Sequence, residues 1–355
     1  MGICYNHHVS DTDTRDHDYM QLALEQARKG VGTTSPNPPV GAVIVKDGVI
    51  LGQGYHERAG ELHAERRALA DARARGNEAE LKGATIYVTL EPCSTYGKTP
   101  PCTEGILEAG ITRVVYGAVD PDERHRGRAD ALLRAAGVEV LAGVEKTACE
   151  LLLRPWAYAV THKRPWVLAK VATTLDGRLT RRDTRWLSTP ETLRYAHEYR
   201  LRSDAILIGG NTLRTDDPSL TIRTPLSEVP ACKKQPWRIV MTRDKTTLPA
   251  HSKLFTDEHA ARTLVAENIS DFPAYLEMLY REHGIVQLML ECGGTLLRRF
   301  SEEGLVNEWA QEIVPVLAGG DAALIPGDFL PAERRLQVEW QSSLQGHVLL
   351  RGVIK

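Results

Sequence analysis

The stretch TLEPCSTYGKTPPC, residues 89–102, holds two cysteines with eight residues between them, and three prolines. Three interpretations are open: a disulfide, two ligands of a metal site, or two unrelated small buried side chains. The chain has six cysteines in 355 residues and no secretory signal, which predicts a reducing compartment and makes the disulfide the weakest of the three. The choice between the other two depends on which further ligand the sequence offers.

A histidine in ELHAERRAL, residues 61–69, supplies that ligand. His63, Cys93 and Cys102 give one imidazole and two thiolates, a set that suits zinc with a fourth position open for water. Cys102 is predicted to begin a helix, where the helix dipole lowers the pKa of a thiol. Glu65 is not needed as a ligand. Beside the metal it can take a proton from zinc-bound water and pass it to a leaving amine.

A histidine, a non-ligand glutamate and two cysteines in this order predict a hydrolytic zinc deaminase. Each residue alone is more often structural, since cysteine is commonly a small buried side chain. A closed structural zinc site needs a fourth protein ligand, and the candidate is His56, which we place at the end of a hairpin instead. Glu65 separates the two hypotheses, because a structural zinc does not need it.

The segments that must position these residues alternate between strand and helix patterns. We predict helices in DYMQLALEQARKG, HAERRALADARARG and CTEGILEAG, strands in ATIYVTL and RVVYGAV, and a hairpin that turns at Asp47-Gly48. After a break in LLLRPWAYAVTHKRPW, strands such as WVLAKVA and DAILIGG again alternate with helical stretches. This predicts two α/β domains, residues 16–162 and 163–355, the second with a largely parallel sheet, and a disordered tail at 1–15.

Composition limits the class of partner. The net charge is -2, so a large basic surface for nucleic acid is not predicted. No apolar run of about 18 residues is present, which predicts no membrane span. The polar and acidic N-terminus lacks the features of a secretory signal, and together with the cysteine content it predicts a cytoplasmic protein.

The long motifs resemble a known family. Most nucleoside and nucleic-acid deaminases carry their two cysteines as C-x-x-C, whereas this chain has PCSTYGKTPPC. The wide loop, together with SPNPPVGAVIV, YHERAGELHAE and ATIYVTLEPC, resembles the bifunctional riboflavin-biosynthesis deaminase/reductases usually called RibD. The resemblance extends over residues ~16 to ~320, almost the whole chain.

The resemblance implies that the first domain is a cytidine-deaminase-like α/β/α sandwich. It implies hydrolysis of the 2-amino group of a diaminopyrimidinone ribosyl phosphate. Carried over by motif, the site consists of the zinc ligands His63, Cys93 and Cys102, the proton carrier Glu65 and the substrate contacts Asn37, Lys98 and Asp120. Taken alone, Asn37 fits a turn between prolines, and Lys98 a solvated surface charge.

Two departures from the family pattern lie in this domain. The family often has histidine after PCS, where this chain has Thr95, and often has DPNPxVxGxG after the next strand, where this chain has DPDERHRGRA. Asp122 thus replaces an asparagine, and Ala129 a glycine. No zinc ligand is changed, so we expect the zinc chemistry to survive. An acid at position 122 is expected to repel a phosphorylated substrate, which affects substrate positioning.

The second domain is similar to the family's reductase, which has a dihydrofolate-reductase-like α/β fold and uses NADPH to open and reduce the ribosyl group to ribityl. The residues alone give a modest signal, because G-x-G-x-x-G is absent and two strand–Gly-Gly–helix turns, AILIGGNTL and LMLECGGTLLRRF, are present. The second turn leaves backbone N–H groups free at a helix start, which suits a phosphate. Taken alone, it is better explained as a plain helix entry.

Matching by motif implies the reductase residues. Implied substrate contacts are Lys170, Thr184, Arg200, Leu220, Arg223 and Glu291; implied cofactor contacts are Ala172, Asp176, Trp186, Thr212, Asp216, Arg243, Gly293, Gly294, Thr295, Leu296 and Leu297. Arg200 is expected to hold the substrate phosphate in a bidentate way, and Arg243 to help hold the 2′-phosphate of the cofactor. The alternative for each arginine is an exposed surface charge, and for Trp186 it is core packing.

The motifs and the resemblance therefore predict a two-step enzyme, a zinc deaminase followed by an NADPH reductase, that acts on small phosphorylated pyrimidines. The resemblance also implies a homodimer or homotetramer. One alternative is a nucleoside or tRNA-type zinc deaminase with an unrelated second domain. Others are a zinc-stabilised binding protein and a reductase with a redirected or inactive deaminase. The wide cysteine loop, the lack of basic character and the motifs of the second domain weigh against the first alternative.

Overall fold

The computed structural model describes residues 11–96, 100–181, 187–223, 230, 232–320 and 333–355. The chain divides into two compact units, the first ending at Thr161 and the second beginning at His162. Each unit is built around one sheet. Within the described ranges, no helix combines the length and the apolar character that crossing a lipid bilayer requires.

The first unit contains a five-stranded sheet in the order β2-β1-β3-β4-β5. Its elements are α1 Asp11–Lys29, β1 Gly41–Lys46, β2 Val49–Tyr55, α2 Ala64–Ala74, β3 Thr85–Leu90, α3 Cys102–Glu108, β4 Arg113–Ala118, α4 Arg128–Ala135, β5 Glu139–Ala142 and α5 Lys146–His162. Strand β1 is antiparallel to β2 and β3, whereas β3, β4 and β5 run parallel. The predicted hairpin between β1 and β2 is confirmed: Asp47 and Gly48 both have positive φ, at 50° and 80°.

Helix α1 begins at Asp11, so residues 11–15 are helical, and the predicted disordered tail is wrong for them. A buried carboxylate near the start of the helix explains this. Asp16 accepts hydrogen bonds from Nη1 and Nη2 of Arg113, both at 2.8 Å, and from the hydroxyl of Tyr87 at 2.7 Å. These partners lie on β3 and β4, so local sequence does not reveal them. Residues 1–10 lie outside the described residues.

Helix α1 packs directly against β1 at Gly41. A Cβ atom there would lie 2.1 Å from the carbonyl oxygen of Ala23 and 2.5 Å from the amide nitrogen of Ala27, both backbone atoms of the helix. We expect Gly41→Ala to push helix and sheet apart and to lower the free energy of unfolding of the first unit by about 1–3 kcal/mol. Urea denaturation checks this. Gly209→Ala is the control, since a Cβ there meets nothing nearer than 4.0 Å; equal losses in both variants would contradict the prediction.

The second unit contains an eight-stranded sheet in the order β12-β13-β11-β6-β10-β7-β8-β9. Its elements are β6 Trp166–Thr174, α6 Pro190–Arg202, β7 Ala205–Gly209, α7 Gly210–Asp216, β8 Trp237–Thr242, α8 Lys253–Thr256, β9 Thr263–Glu267, α9 Phe272–His283, β10 Gln287–Leu290, α10 Gly294–Glu302, β11 Glu308–Val314, β12 Leu336–Leu344 and β13 His347–Ile354. The strands from β11 to β9 are parallel, as predicted. The antiparallel pair β12–β13 was not predicted.

The order of the parallel strands places the two Gly-Gly turns side by side. Strands β7 and β10 are neighbours in the sheet. Helix α7 begins at Gly210, directly after β7, and α10 begins at Gly294, just after β10. Because the carboxyl ends of parallel strands lie at one edge of a sheet, both turns lie at that edge, where open α/β sheets bind ligands.

Candidate active sites

Two helix starts and the loop after β3 bring three metal-ligating side chains together in the first unit. His63 directly precedes α2 and makes no side-chain capping bond, and Cys102 is the first residue of α3. Nδ1 of His63 lies 3.4 Å from Sγ of Cys93 and 3.4 Å from Sγ of Cys102. One imidazole and two thiols from separate segments thus converge, as the sequence predicted, and this donor set fits zinc.

The surroundings of the two cysteines favour a thiolate. The side-chain hydrogen bond from Cys102 and, after it, that from His63 lower the pKa of Cys93 to about 4, against the opposing effect of burial. The bond to Cys93, together with burial, raises the pKa of Cys102. The backbone N–H of Cys102 also donates to Sγ of Cys93 over 3.2 Å. The pair therefore holds a negative charge on Cys93, and the positive ends of two helices lie beside it.

Glu65 lies in the first turn of α2, two residues after His63, and only 4% of it is exposed. Burial raises the pKa of its carboxyl group, and the negative charge of Cys93 adds to this effect. Glu65, His63 and Cys93 line one cavity of about 480 Å³, called here the first-unit cavity. A buried carboxyl group in that position can take a proton and return it.

Asn37 and Asp120, two of the implied substrate contacts, also line the first-unit cavity. Nδ2 of Asn37 lies 3.0 Å from Nε2 of His56, and Nδ1 of His56 lies 3.0 Å from the carbonyl oxygen of Leu62. These contacts place the ring proton on Nδ1 and fix the Asn37 amide. Burial also lowers the pKa of His56, which favours the neutral ring. Both ring nitrogens are occupied, so His56 supports Asn37 and is not a fourth zinc ligand. Lys98 lies outside the described residues.

A buried carboxylate organises the loop between β4 and α4. Glu91 is 4% exposed and accepts hydrogen bonds from the N–H groups of Asp120 at 3.3 Å, Gly127 at 3.1 Å and Ala129 at 3.3 Å. The loop is thereby held at both ends. Sequence analysis assigned Glu91 no role, although its place two residues before Cys93 is a signal that could have indicated one.

The two departures from the family pattern have structural counterparts on this loop. The carboxylate of Asp122 accepts from Nε of Arg124 at 2.9 and 3.1 Å, and this arginine lowers the pKa of Asp122. The charge that was expected to repel a phosphate is therefore compensated two residues later. Thr95 has its hydroxyl 3.3 Å from Nδ1 of His125, so an imidazole lies at this part of the wall, supplied by another segment.

A second cavity, of about 410 Å³, lies in the second unit and is called here the second-unit cavity. It brings together six residues that the family match implied: Arg200, Thr212, Asp216, Leu220, Arg223 and Glu291. His197 and Lys253 line it as well and were not predicted. His197 precedes Arg200 by three residues on α6, so the two share a helix face, which is the signal that could have found it.

The predicted bidentate grip of Arg200 on a phosphate disagrees with its contacts. Nε and Nη2 of Arg200 donate to the two carboxylate oxygens of Glu291 at 2.6 and 2.8 Å, and Nη1 donates to the carbonyl oxygen of Thr221 at 3.0 Å. Three of the five N–H groups of this guanidinium are therefore used inside the protein, two of them in a bidentate contact with a carboxylate. Burial raises the pKa of Glu291, but the charge and hydrogen bonds of Arg200 outweigh this and lower it overall. Arg200 thus positions Glu291 and the segment around Thr221.

Lys170 lies on β6 near two buried carboxylates. Burial raises the pKa of Glu291 and of Glu312, and the charge of Lys170 helps to lower both. For Glu312, the hydrogen bond from Ser188 is the largest effect that opposes burial. Glu312 is 2% exposed and lies 2.7 Å from Nδ1 of His347, and it also accepts a hydrogen bond from Ser188. Ala172 pairs with Glu312 across β6 and β11. This buried group was missed, because its members are 124 and 35 residues apart in sequence.

The two Gly-Gly turns have the open space that a bound phosphate needs. A Cβ at Gly293 would meet no atom within 4 Å, and one at Gly209 would meet none nearer than 4.0 Å. Thr295, in the first turn of α10, is exposed, as is Arg243, directly after β8. Backbone N–H groups at a helix start fit the phosphates of a dinucleotide such as NADPH, and Arg243 follows β8 at the same edge of the parallel sheet.

Two residues that the resemblance implied as cofactor contacts, Leu297 and Asp176, instead make contacts within the protein. Leu297 is fully buried in the apolar core, and its N–H donates to the carbonyl oxygen of Gly293 at 3.2 Å, so its side chain serves packing in this structure. The carboxylate of Asp176 accepts from the N–H groups of Ala318 at 3.0 Å and Gly319 at 2.8 Å, which ties two loops together. Of the remaining implied residues, Gly294 is buried and Leu296 half-buried at the start of α10, while Thr184 and Trp186 lie outside the described residues.

His197 makes the second unit sensitive to acid. It is 7% exposed, and burial, Arg200 and Arg223 lower its pKa to about 4, below the usual ~6.5. The unfolded chain therefore binds this proton more readily, so stability is expected to fall as the pH drops from about 6.5 towards 4. Urea denaturation at pH 7 and pH 5 checks this, with a smaller loss on acidification expected for His197→Gln. The same pH dependence in wild type and variant would contradict it.

Two family models match the chain. The model of the cytidine and deoxycytidylate deaminase zinc-binding region matches residues 13–118, and that of the RibD C-terminal domain matches residues 165–348. The first covers the three metal-ligating side chains and Glu65. The second covers all the residues that line the second-unit cavity.

Whole-length comparisons agree with both matches. The chain is similar to the riboflavin biosynthesis protein RibD of Synechocystis sp., with 37% identity over 88% of this chain and 87% of that protein. It is similar to the structure of Acinetobacter baumannii RibD, with a TM-score of 0.89 and 31% identity over 97% and 100% of the two chains. A Thermotoga maritima structure described as a diaminohydroxyphosphoribosylaminopyrimidine deaminase/5-amino-6-(5-phosphoribosylamino)uracil reductase gives a TM-score of 0.86 and 30% identity over 97% and 99%.

Proposed function

The chain belongs to the RibD family of riboflavin biosynthesis proteins, and from this membership we propose that it carries out two successive reactions on one substrate. The first unit contains a zinc-dependent deaminase domain, and the second an NADPH-dependent reductase domain. The proposed substrate is 2,5-diamino-6-ribosylamino-4(3H)-pyrimidinone 5′-phosphate, which is deaminated by hydrolysis and then reduced from ribosyl to ribityl. The observation that carries the proposal is the convergence of His63, Cys93 and Cys102 beside buried Glu65 on one cavity.

In the deamination, the side chains hold the ring and move protons. His63, Cys93 and Cys102 would hold the zinc, which would supply Lewis-acid activation of a water. Glu65 accepts a proton from that water and returns it to the departing amine, which leaves as ammonia. Oδ1 of Asn37, held by the bond from its amide nitrogen to His56, accepts a hydrogen bond from the pyrimidine. Asp120 lies on the loop that Glu91 anchors, and it lines the same cavity.

In the reduction, the second-unit cavity takes the ribosyl phosphate. The glycine turns before α7 and α10 would hold NADPH, which would supply the hydride. Glu291 contacts the sugar hydroxyls from the position that Arg200 fixes, and Lys170 adds a positive charge near it. Arg223 replaces Arg200 as the proposed phosphate contact, because it lines the same cavity and is exposed at its edge. Lys253 offers a second cation there.

A coupled assay on purified protein tests the proposal. Ammonia release and NADPH oxidation are followed separately with the diaminopyrimidinone ribosyl phosphate, before and after zinc is removed by a chelator. We expect both signals from the zinc-loaded protein, and after zinc removal only NADPH oxidation with substrate that has already been deaminated. Zinc-loaded protein that oxidises NADPH but releases no ammonia would instead make the chain a reductase with a redirected or inactive deaminase.

We also propose that the protein is a homo-oligomer, a dimer or tetramer, and acts in the cytoplasm. Strand β12 is an edge of its sheet, and on β12 and β13 Val338 and Val348 are 47% and 41% exposed, which favours an oligomer contact at this edge. The described cysteines are free thiols, which supports a reducing compartment. Light scattering after gel filtration measures the oligomeric state, and a monomer at micromolar concentration would contradict the proposal.

A further inference from the structure

The first-unit cavity contains an imidazole that the proposed mechanism does not use. His125 lies on the loop between β4 and α4 and lines the cavity with Thr95, Asp120 and Asp122. Its Nδ1 atom is 3.3 Å from the hydroxyl of Thr95, and its backbone N–H donates to the carbonyl oxygen of Asp122 at 2.9 Å. The ring is therefore held in one place on the wall, near the segment that carries Cys93.

The loop that carries His125 is anchored on both sides of it. Glu91 accepts from the N–H of Asp120 before it, and from the N–H groups of Gly127 and Ala129 after it. This carboxylate is buried, so the three bonds are shielded from water. The position of His125 thus follows from a fixed loop, which distinguishes it from a side chain that reaches the cavity by chance.

The charges on the cavity wall explain what His125 is suited to bind. The acidic side chains that line the wall are Glu61, Glu65, Glu91, Asp120 and Asp122. Asp122 and Glu61 are paired with Arg124 and Arg58, and Glu91 accepts from the N–H groups of the loop, so a phosphate at this wall needs a hydrogen-bond donor that is not already used. Among the histidines of the wall, His56 has both ring nitrogens bonded within the protein, and His63 directs Nδ1 at the thiols. Nε2 of His125 has no hydrogen-bond partner within the described part of the chain.

We propose that Nε2 of His125 binds the 5′-phosphate of the deaminase substrate and that this contact makes the site prefer phosphorylated pyrimidine ribosides. With the Thr95 hydroxyl donating to Nδ1, the ring proton lies on Nε2, the atom that donates to the phosphate oxygen. Thr95 is then a positioning residue for the ring. The proposal rests on the proposed function, since it names the group that the first-unit cavity recognises.

Kinetics with two substrates tests the contact. kcat/KM for ammonia release is measured with the phosphorylated substrate and with the same riboside without its phosphate. His125→Ala is expected to lower kcat/KM about 10- to 100-fold for the phosphorylated substrate, mainly through KM, and to leave the other unchanged. His125→Gln is expected to retain more activity than His125→Asn, because the amide nitrogen of glutamine matches Nε2 and that of asparagine matches Nδ1.

Control variants and measurements distinguish loss of the phosphate contact of His125 from a general loss of folding or of zinc. Arg128→Ala removes an exposed cation at the first residue of α4, directly after the loop, that does not line the cavity, and it is expected to leave both substrates unchanged. Zinc content and NADPH oxidation with pre-deaminated substrate are expected to match the wild type in every variant. An equal loss on both substrates, no loss at all, or the same loss in Arg128→Ala would overturn the proposal. A zinc-loaded wild type that deaminates neither substrate would overturn the proposed deamination, and this contact with it.

Discussion

Glu65→Gln is expected to lower kcat for ammonia release about 10²- to 10⁴-fold, while NADPH oxidation with pre-deaminated substrate stays at the wild-type rate. The amide has nearly the shape of the carboxyl group and therefore fits the same buried place in the first turn of α2. It cannot accept a proton and return it, so the two proton transfers lose their carrier. Ammonia release and NADPH oxidation, measured separately, check this.

Measuring the zinc content of Glu65→Gln distinguishes a lost proton transfer from a lost metal. Glu65 is not one of the three converging ligands, so the variant is expected to bind zinc as the wild type does. Glu61→Gln is the matched control, since Glu61 lines the same cavity but is paired with Arg58 at 2.9 Å and is 40% exposed. Ammonia release by Glu65→Gln at the wild-type rate would show that a different group carries the proton.

Glu291→Gln is expected to lower the free energy of unfolding of the second unit by about 3–5 kcal/mol and to impair the reductase. The side chains of Arg200 and Glu291 are only 11% and 18% exposed, and the change leaves the guanidinium of Arg200 buried without its counter-charge. The same change on the exposed pair of Arg194 and Glu198, as Glu198→Gln, is expected to cost less than about 1 kcal/mol. Urea denaturation of both variants checks the difference.

A double variant tests whether the ion pair of Arg200 and Glu291 is needed for stability or for activity. Replacing both charges, as Arg200→Met with Glu291→Leu, removes the unpaired charge and is expected to restore most of the lost stability, because apolar residues of similar volume often replace a buried ion pair at little cost. The reductase is expected to remain inactive in it. A double variant that regains activity would show that Glu291 does not contact the substrate.

The convergence of His63, Cys93 and Cys102 could be predicted because the chemistry of these residues is local. One histidine, one nearby glutamate and two cysteines specify a metal and a proton carrier by residue type, and the flanking helix and strand patterns show how each is presented. The cytidine-deaminase-like and dihydrofolate-reductase-like architecture came from the motif resemblance and was correct.

The hydrogen-bond partner of each side chain within the fold could not be predicted in the same way. The sequence shows that Arg200 is an arginine suited to phosphate, but not that Glu291, 91 residues away, occupies it. Likewise it shows His125 and Thr95 without the contact between them. A motif match also places Leu297 near the cofactor turn, but the phase of α10 directs this side chain into the core with Phe300.

The hairpin of β12 and β13 was missed for a different reason. Its turn is formed by Gln345 and Gly346, with φ of 51° and 80°, whereas a two-residue turn of this kind usually begins with asparagine or aspartate. In β12, Leu336, Val338 and Trp340 do alternate with polar residues, and this is the signal that could have indicated the strand.

The single carboxylate of Glu91 has a consequence for how the loop of this chain can change in evolution. It bonds to positions 120, 127 and 129, so residues 121–126 form a tip whose ends are fixed whatever the tip contains. Mutations can accumulate in such a tip without disturbing the neighbouring zinc ligand Cys93. We therefore expect substrate preference to evolve through exchanges within 121–126, while an insertion between 127 and 129 would break the anchor and be eliminated by selection.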